Sequence, residues 1–220
     1  MNLKNNTKYK ISCISGCSLK IYDKNYSYWE NRQITSDELE IVYFLKKKNI
    51  KNKNILHIGI GNSYFAKNLS KNNKITGVTI LEKELFNGNQ LNINKYKIII
   101  KNKYQKNFIF KKNTFDIIVD INLKSYSCCQ RAFEYMFKNL TASLNKNSMI
   151  VTSKKGMNWT SNLTTKLSFK LNNFLKKKIK ESKGKISNIL SKEECIKLAK
   201  ENKMKLVYPK KTNIVIFKKT

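Results

Sequence analysis

Apolar residues fall along the chain at two spacings. Ile55, Leu56, Ile58 and Ile60 make a nearly continuous run, and so do Ile75 to Ile80, Tyr96 to Ile100, Phe115 to Ile121 and Met149 to Thr152. Short unbroken runs of this kind predict parallel strands covered on both faces. Between them, apolar residues return every three or four positions, which predicts helices. Leu39, Val42, Tyr43 and Leu45 form one such face, opened by Thr35 and Glu38 in the spacing of a capping box. Phe65 and Leu69 form another, with Ser63 as its N-cap. A helix or turn starts over Glu82 to Asn89. A longer helix over Ser125 to Leu144 buries Cys129, Phe133, Met136, Phe137, Leu140 and Leu144. Ser191 and Glu194 repeat the capping-box spacing ahead of Cys195, Leu198 and Ala199. The last two runs, Lys205 to Tyr208 and Asn213 to Phe217, are joined by a loop containing Pro209 that is too short for a parallel crossover. They must therefore pair antiparallel.

These elements predict an α/β fold around a doubly wound, Rossmann-like sheet of about seven strands, mostly parallel with a C-terminal antiparallel hairpin. The stretch from Asn54 to Leu85 reads as strand, glycine turn, helix, strand. Gly59 and Gly61 let the backbone turn sharply at the carboxyl end of a buried strand and leave room for a ligand that any Cβ would exclude. Open α/β sheets bind ligands at this edge. The dinucleotide fingerprint, however, asks for a third glycine where Tyr64 stands.

HIGIGNS followed by ITGVTILEKEL resembles the first two motifs of class I S-adenosylmethionine-dependent methyltransferases. The resemblance implies S-adenosyl-L-methionine as cofactor. Its methionine part would lie over Gly59, Ile60, Gly61 and Asn62, with His57 and Ser63 beside them. The family usually carries an acidic residue where His57 stands, a glycine where Ser63 stands and an acidic ribose ligand where Thr79 stands. The Thr79 context is similar to the cyclopropane fatty acid synthase branch, and Thr79, Ile80 and Glu84 would face ribose and adenine. Asn102 falls where the family often holds the adenine amine, and Asp120 and Asn122 fall where it faces both cofactor and substrate. From the residues alone, Asn102 also reads as a loop asparagine, Asp120 as a strand-terminal cap for Ser125 or its neighbours, and His57 as a structural or cofactor-edge residue. The hairpin ending also matches the family.

Composition changes this picture only at its margins. The 220 residues carry a formal net charge of +31 and a pI near 10.0, which ordinarily points to nucleic acid or an anionic membrane. Lys, Asn and Ile crowd every segment, as an A+T-rich coding sequence produces, so the spread favours a solvated lysine surface over a binding footprint. Five cysteines without a secretory signal predict no disulfide framework. Cys13 and Cys17 lack the third partner an iron–sulfur triad needs, so no metal is expected. No apolar run is long enough to span a bilayer, and a cytoplasmic setting is the default.

Residues 1–34 read as a leader, with a strand or hairpin over Lys8 to Ile21 and an aromatic group of Tyr22, Tyr26, Tyr28 and Trp29. That group serves either as a lid over the site or as a packed segment. Residues 35–220 form the methyltransferase-like domain, with an insertion at about 157–187. This insertion, with Trp159, lies over the site or forms a surface excursion; the family often shapes its substrate pocket there. Tyr28, Trp29, Trp159 and Asn122 are the substrate-side candidates. The combined expectation is a methyltransferase acting on a small-molecule or lipid-like acceptor. An RNA-modifying enzyme of the same fold and a non-catalytic ligand-binding protein are the alternatives. No catalytic base is assigned, and the sequence leaves the oligomeric state open.

Overall fold

The computed structural model describes residues 10–12, 18–20, 34–105, 107–125, 127, 130–154 and 190–220. Two short strands, β1 (Lys10–Ser12) and β2 (Ser18–Lys20), pair antiparallel as the expected hairpin. The main sheet contains β3 (Asn54–Ile58), β4 (Lys74–Thr79), β5 (Tyr96–Ile100), β6 (Phe115–Asp120), β7 (Leu144–Ser153), β8 (Met204–Val207) and β9 (Ile214–Lys219). Its spatial order is β5-β4-β3-β6-β7-β9-β8. The first five strands run parallel, and β9 pairs antiparallel with both β7 and β8.

The connections run outward from β3 to β4 and β5, then return to β6 on its other side. The direction of winding therefore reverses between β3 and β6, which is where open sheets form their ligand crevice. Their register sets Ile58 beside Asp120, so the glycine turn and the end of β6 lie next to one another.

Helices α1 (Ser36–Lys47) and α2 (Tyr64–Leu69) cover one face of the sheet. There Ile41, Val42, Leu45, Phe65, Ala66 and Leu69 pack on Ile55, Ile75, Ile117 and Val151. The second face carries α4 (Gln130–Ser143) and α5 (Lys192–Glu201), with Phe133, Phe137, Leu140 and Leu198 against Leu56, Ile118 and Phe217. Fully burying each such side chain stabilises the fold by about 1.5–3 kcal/mol. A further helix, α3 (Glu82–Gln90), follows β4 and settles the helix-or-turn alternative.

Three sequence expectations are corrected. Leu39 and Tyr43 were placed on the buried face of α1, but they are exposed and the helix buries Ile41, Val42 and Leu45 instead. Ile41, Val42 and Leu45, at i, i+1 and i+4, share the inward face, and the i, i+4 pair Leu39 and Tyr43 lies on another. α4 begins at Gln130, not Ser125, and Leu144 belongs to β7, which is longer than expected because Leu144 already pairs with Phe115, ahead of a register shift between Phe115 and Ile117. Ser63 does not cap α2 with its side chain; it takes a left-handed backbone at φ 61, and the Asn62 side chain accepts from the Tyr64 amide at 3.1 Å.

Candidate functional site

The site begins where β3 ends. Gly59 and Gly61 both have positive φ, at 81 and 49, and among the described residues nothing lies within 4 Å of where a Cβ would stand on either. Gly59 is exposed although Ile60 beside it is buried. The chain therefore presents bare backbone on the ligand side while anchoring itself by one apolar side chain. Ser63, third in the series, also sits in a left-handed conformation and is buried. A serine there explains why the motif lacks its usual glycine. The hydroxyl turns inward and lies 3.1 Å from the Tyr96 hydroxyl, so the side chain is used rather than merely tolerated. Tyr96 reaches it by crossing β4 at Gly77, where a Cβ would come within 2.8 Å of the Tyr96 oxygen.

The second wall is the end of β4. Thr79 is buried and its hydroxyl donates to Glu84 Oε2 at 2.5 Å, while its oxygen accepts from the Leu81 amide at 3.0 Å. Glu84 is buried on the first turn of α3. A carboxylate held in this way retains lone pairs for further donors. Ile80, between them, is half-buried.

Beneath the turn lie two groups whose polar atoms are unpaired among the described residues. His57 is fully buried, its ring stacks on Phe65 with centroids 4.3 Å apart, and neither ring nitrogen has a partner. Burial pushes its pKa down to about 3, so the ring is neutral. Glu38, on α1, has its Oε1 buried with no partner. Burial raises the Glu38 pKa to about 7, the Phe65 amide opposes that rise, and the Asp37 charge adds to it.

The third wall is the end of β6, and it is closed upon itself. Asp120 is buried and pairs with Lys103, whose Nζ lies 2.8 Å from Oδ2. The same ammonium donates to the carbonyls of Asn122 at 2.9 Å and Leu123 at 3.1 Å, with Ser125 Oγ at 3.4 Å. Burial lowers the Lys103 pKa, and the Asp120 charge and hydrogen bond oppose the shift. The Tyr104 hydroxyl donates to the Ser125 carbonyl at 2.6 Å, a second tie between the same two loops. The Ser125 amide goes to the Asn122 carbonyl, so Asp120 does not cap it. Asn122 Oδ1 is buried without a partner. Asn102 Oδ1 accepts from the Tyr104 amide at 2.9 Å, the local turn that its loop alternative described.

Lys103 and Tyr96 were not singled out from the sequence. Lys103 is one lysine among 45 basic residues, and Tyr96 opens a strand where an aromatic residue is ordinary. Glu38 was read only as half of a capping box. Tyr28, Trp29 and Trp159 lie outside the described residues, as do the insertion and the leader apart from residues 10–12, 18–20 and 34. The hollow of about 430 Å³ lined by Asn52, Lys53, Asn54, Asn72, Asn73, Lys74 and Lys95 is at the opposite, amino-terminal edge of β3 and β4 and has no part in this crevice. No metal-holding group of His, Cys, Asp and Glu occurs among the described residues.

No protein-family model matches the chain, and no curated protein matches it by sequence. Solved structures do. A methyltransferase from Methanosarcina mazei that depends on S-adenosylmethionine superposes with a TM-score of 0.60 at 16% identity, over 80% of this chain and 96% of that one. The fold is the methyltransferase one. Magnesium protoporphyrin IX methyltransferase from Synechocystis, solved with S-adenosylhomocysteine, gives 0.61 at 13% identity over 90% of this chain and 95% of its own. A (4+2)-cyclase shares the fold as well, with a TM-score of 0.51 at 12% identity over 82% of this chain and 63% of its own. The architecture thus hosts more than one reaction, and the argument for activity has to come from the crevice.

Proposed function

We propose that the chain is an S-adenosylmethionine-dependent methyltransferase acting on a small-molecule or lipid-like acceptor. The observation that carries it is the bare glycine turn at the β3–β6 reversal, with the Thr79–Glu84 pair on the next strand. The residues fit the cofactor. Gly59 to Gly61 offer unshielded backbone, and Glu84 offers carboxylate lone pairs to ribose hydroxyls. The Thr79–Glu84 bond also supports the second-strand likeness to the cyclopropane fatty acid synthase branch.

When bound, the cofactor supplies an electrophilic methyl on a sulfonium. The protein's part is alignment and exclusion of water. Lys103 does not serve as the base: three acceptors within 3.1 Å surround its ammonium, leaving no lone pair for an acceptor's proton. It holds loop 122–125 against the crevice instead. Residues 1–34 and 157–187 are the segments we assign to the acceptor side, in a domain spanning 35–220. No helix among the described residues is long and apolar enough to cross a membrane, in keeping with a cytoplasmic enzyme.

Calorimetry with S-adenosylmethionine tests the proposal. Wild type binds; Gly61→Val, which puts a branched side chain into the open space at a φ of 49, loses binding by about a hundredfold or more. Absent wild-type binding sinks the proposal. RNA is the alternative acceptor class, motivated by the net charge of +31. In that case RNA affinity falls steeply with salt yet keeps a preference for structure or sequence.

A further inference from the structure

The glycine turn is fastened at each end. At its start the Gly59 amide donates to the Val78 carbonyl on β4 at 2.9 Å, and at its end the Ser63 amide donates to the Ile60 carbonyl at 2.8 Å. The second fastening depends on Ser63 keeping a left-handed backbone, at φ 61 and ψ 21, which is unfavourable for a residue with a Cβ. Its hydroxyl lies 3.1 Å from the Tyr96 hydroxyl. The turn therefore ends on a strained residue whose side chain is held from β5, two places away from β3 in the sheet.

The surroundings are shaped to admit this pair. Tyr96 pairs with Ile75 on β4, and its side chain runs over Gly77, two residues further along that strand. A Cβ at Gly77 would stand 2.8 Å from the Tyr96 oxygen and 2.7 Å from Cγ2 of Ile60, the residue that anchors the turn. On α3, a Cβ at Gly88 would stand 3.2 Å from Ser63 Oγ and 2.3 Å from Cδ1 of Ile98 on β5. Gly88 lies four residues beyond Glu84, so the two share a face of α3. The hydroxyl pair thus lies between the turn and the helix that carries Glu84. Ser63 is only 1% exposed, so the pair acts through the backbone it holds and not by touching a ligand. Burial raises the Tyr96 pKa to about 12 against the effect of the Ser63 bond, and the hydroxyl keeps its proton across the neutral range.

We infer that Tyr96 is a positioning residue for the cofactor: through Ser63 it fixes the glycine turn relative to α3, and so the methionine half of the site relative to the ribose half. This rests on the methyltransferase proposal. A ligand that spans both halves then depends on Tyr96, and one that occupies the ribose half alone does not.

The test is calorimetry with S-adenosylhomocysteine and with 5′-methylthioadenosine, a thioether nucleoside without the amino-acid end. Tyr96→Phe weakens S-adenosylhomocysteine by about tenfold, the scale of a hydrogen bond broken at one buried partner, and leaves methylthioadenosine unchanged. Adding Ser63→Gly restores the lost affinity, because glycine takes the same φ without a partner and no buried hydroxyl is left over. Unchanged S-adenosylhomocysteine affinity in Tyr96→Phe overturns the inference. Equal weakening of both ligands does so too, since it marks a general loss of packing, and so does a double variant that fails to recover. All three results leave the cofactor proposal standing, whereas wild type that binds neither ligand overturns the proposal and the inference together.

Discussion

Two helices in this protein start with the same four-residue signature and end with different chemistry. At α5, Ser191 Oγ accepts from the Glu194 amide at 3.1 Å, and Glu194 Oε2 accepts from the Ser191 amide at 2.9 Å. At α1, Thr35 plays the serine's part, but the glutamate carboxylate does not return to the Thr35 amide, and the box stays half closed. Glu194 has every reason to stay: its Oε1 also pairs with Lys124 at 2.6 Å, so box and ion pair reinforce each other. Glu38 faces burial, an acidic neighbour in Asp37 and one unpaired oxygen. The signature closes where a lysine also holds the carboxylate and stays half closed where the carboxylate oxygen is buried without a partner.

The largest consequence of this contrast is at Glu194. Glu194→Ala removes half of the box and leaves the Lys124 ammonium, whose side chain is only 8% exposed, without its counter-charge. Breaking a buried pair in this way typically costs about 3–5 kcal/mol, and the 32% exposure of Glu194 puts the loss at the lower end. Denaturant unfolding measures it. A loss under about 1 kcal/mol means that Lys124 finds water, as exposed pairs do, and the contrast with Glu38 weakens.

The next effect is a pH dependence built from two opposed groups. His57 has its folded pKa depressed from 6.5 to about 3, so its contribution to stability is full above 6.5 and is lost as pH falls toward 3. Glu38 has its folded pKa raised from 4.5 to about 7, so its contribution is full below 4.5 and is lost as pH rises toward 7. Between 4.5 and 6.5 the two slopes, each at most about 1.4 kcal/mol per pH unit, oppose one another. Single variants uncover each slope. Relative to wild type, His57→Leu exposes a decline with rising pH through that window, and Glu38→Gln exposes a rise. Melting temperatures of the ligand-free proteins across pH 3 to 8 are the measurement. Parallel curves for all three proteins refute the assignment.

Strands and their order were legible in the sequence because buried parallel strands write themselves as unbroken apolar runs, and β3 to β7 all carry one. The glycine turn was legible for the same local reason. What escaped the sequence acts over long separations. Lys103 meets Asp120 across 17 positions, and Tyr96 meets Ser63 across 33. Neither spacing leaves a period, and in a chain this rich in lysine no single lysine stands out. Asp120 was found as a position but not as a bonded group, since its partner Lys103 lies on another loop. Glu38 was misjudged in the opposite sense. Its motif was visible, and its failure to close was not.

The smallest effect distinguishes the two helix starts at their caps. Replacing an N-cap Ser or Thr by Ala usually costs about 1 kcal/mol. Ser191→Ala should show that in full, because the Glu194 amide then has no side-chain acceptor at hand. Thr35→Ala should cost only a few tenths of a kcal/mol, since the Glu38 amide already donates to Asp37 Oδ1 at 3.1 Å, closer than the 3.4 Å to Thr35 Oγ1. With the same amide held by Asp37, α1 needs Thr35 less. Equal losses at the two positions, read from denaturant midpoints, indicate that the α1 cap works as an ordinary box.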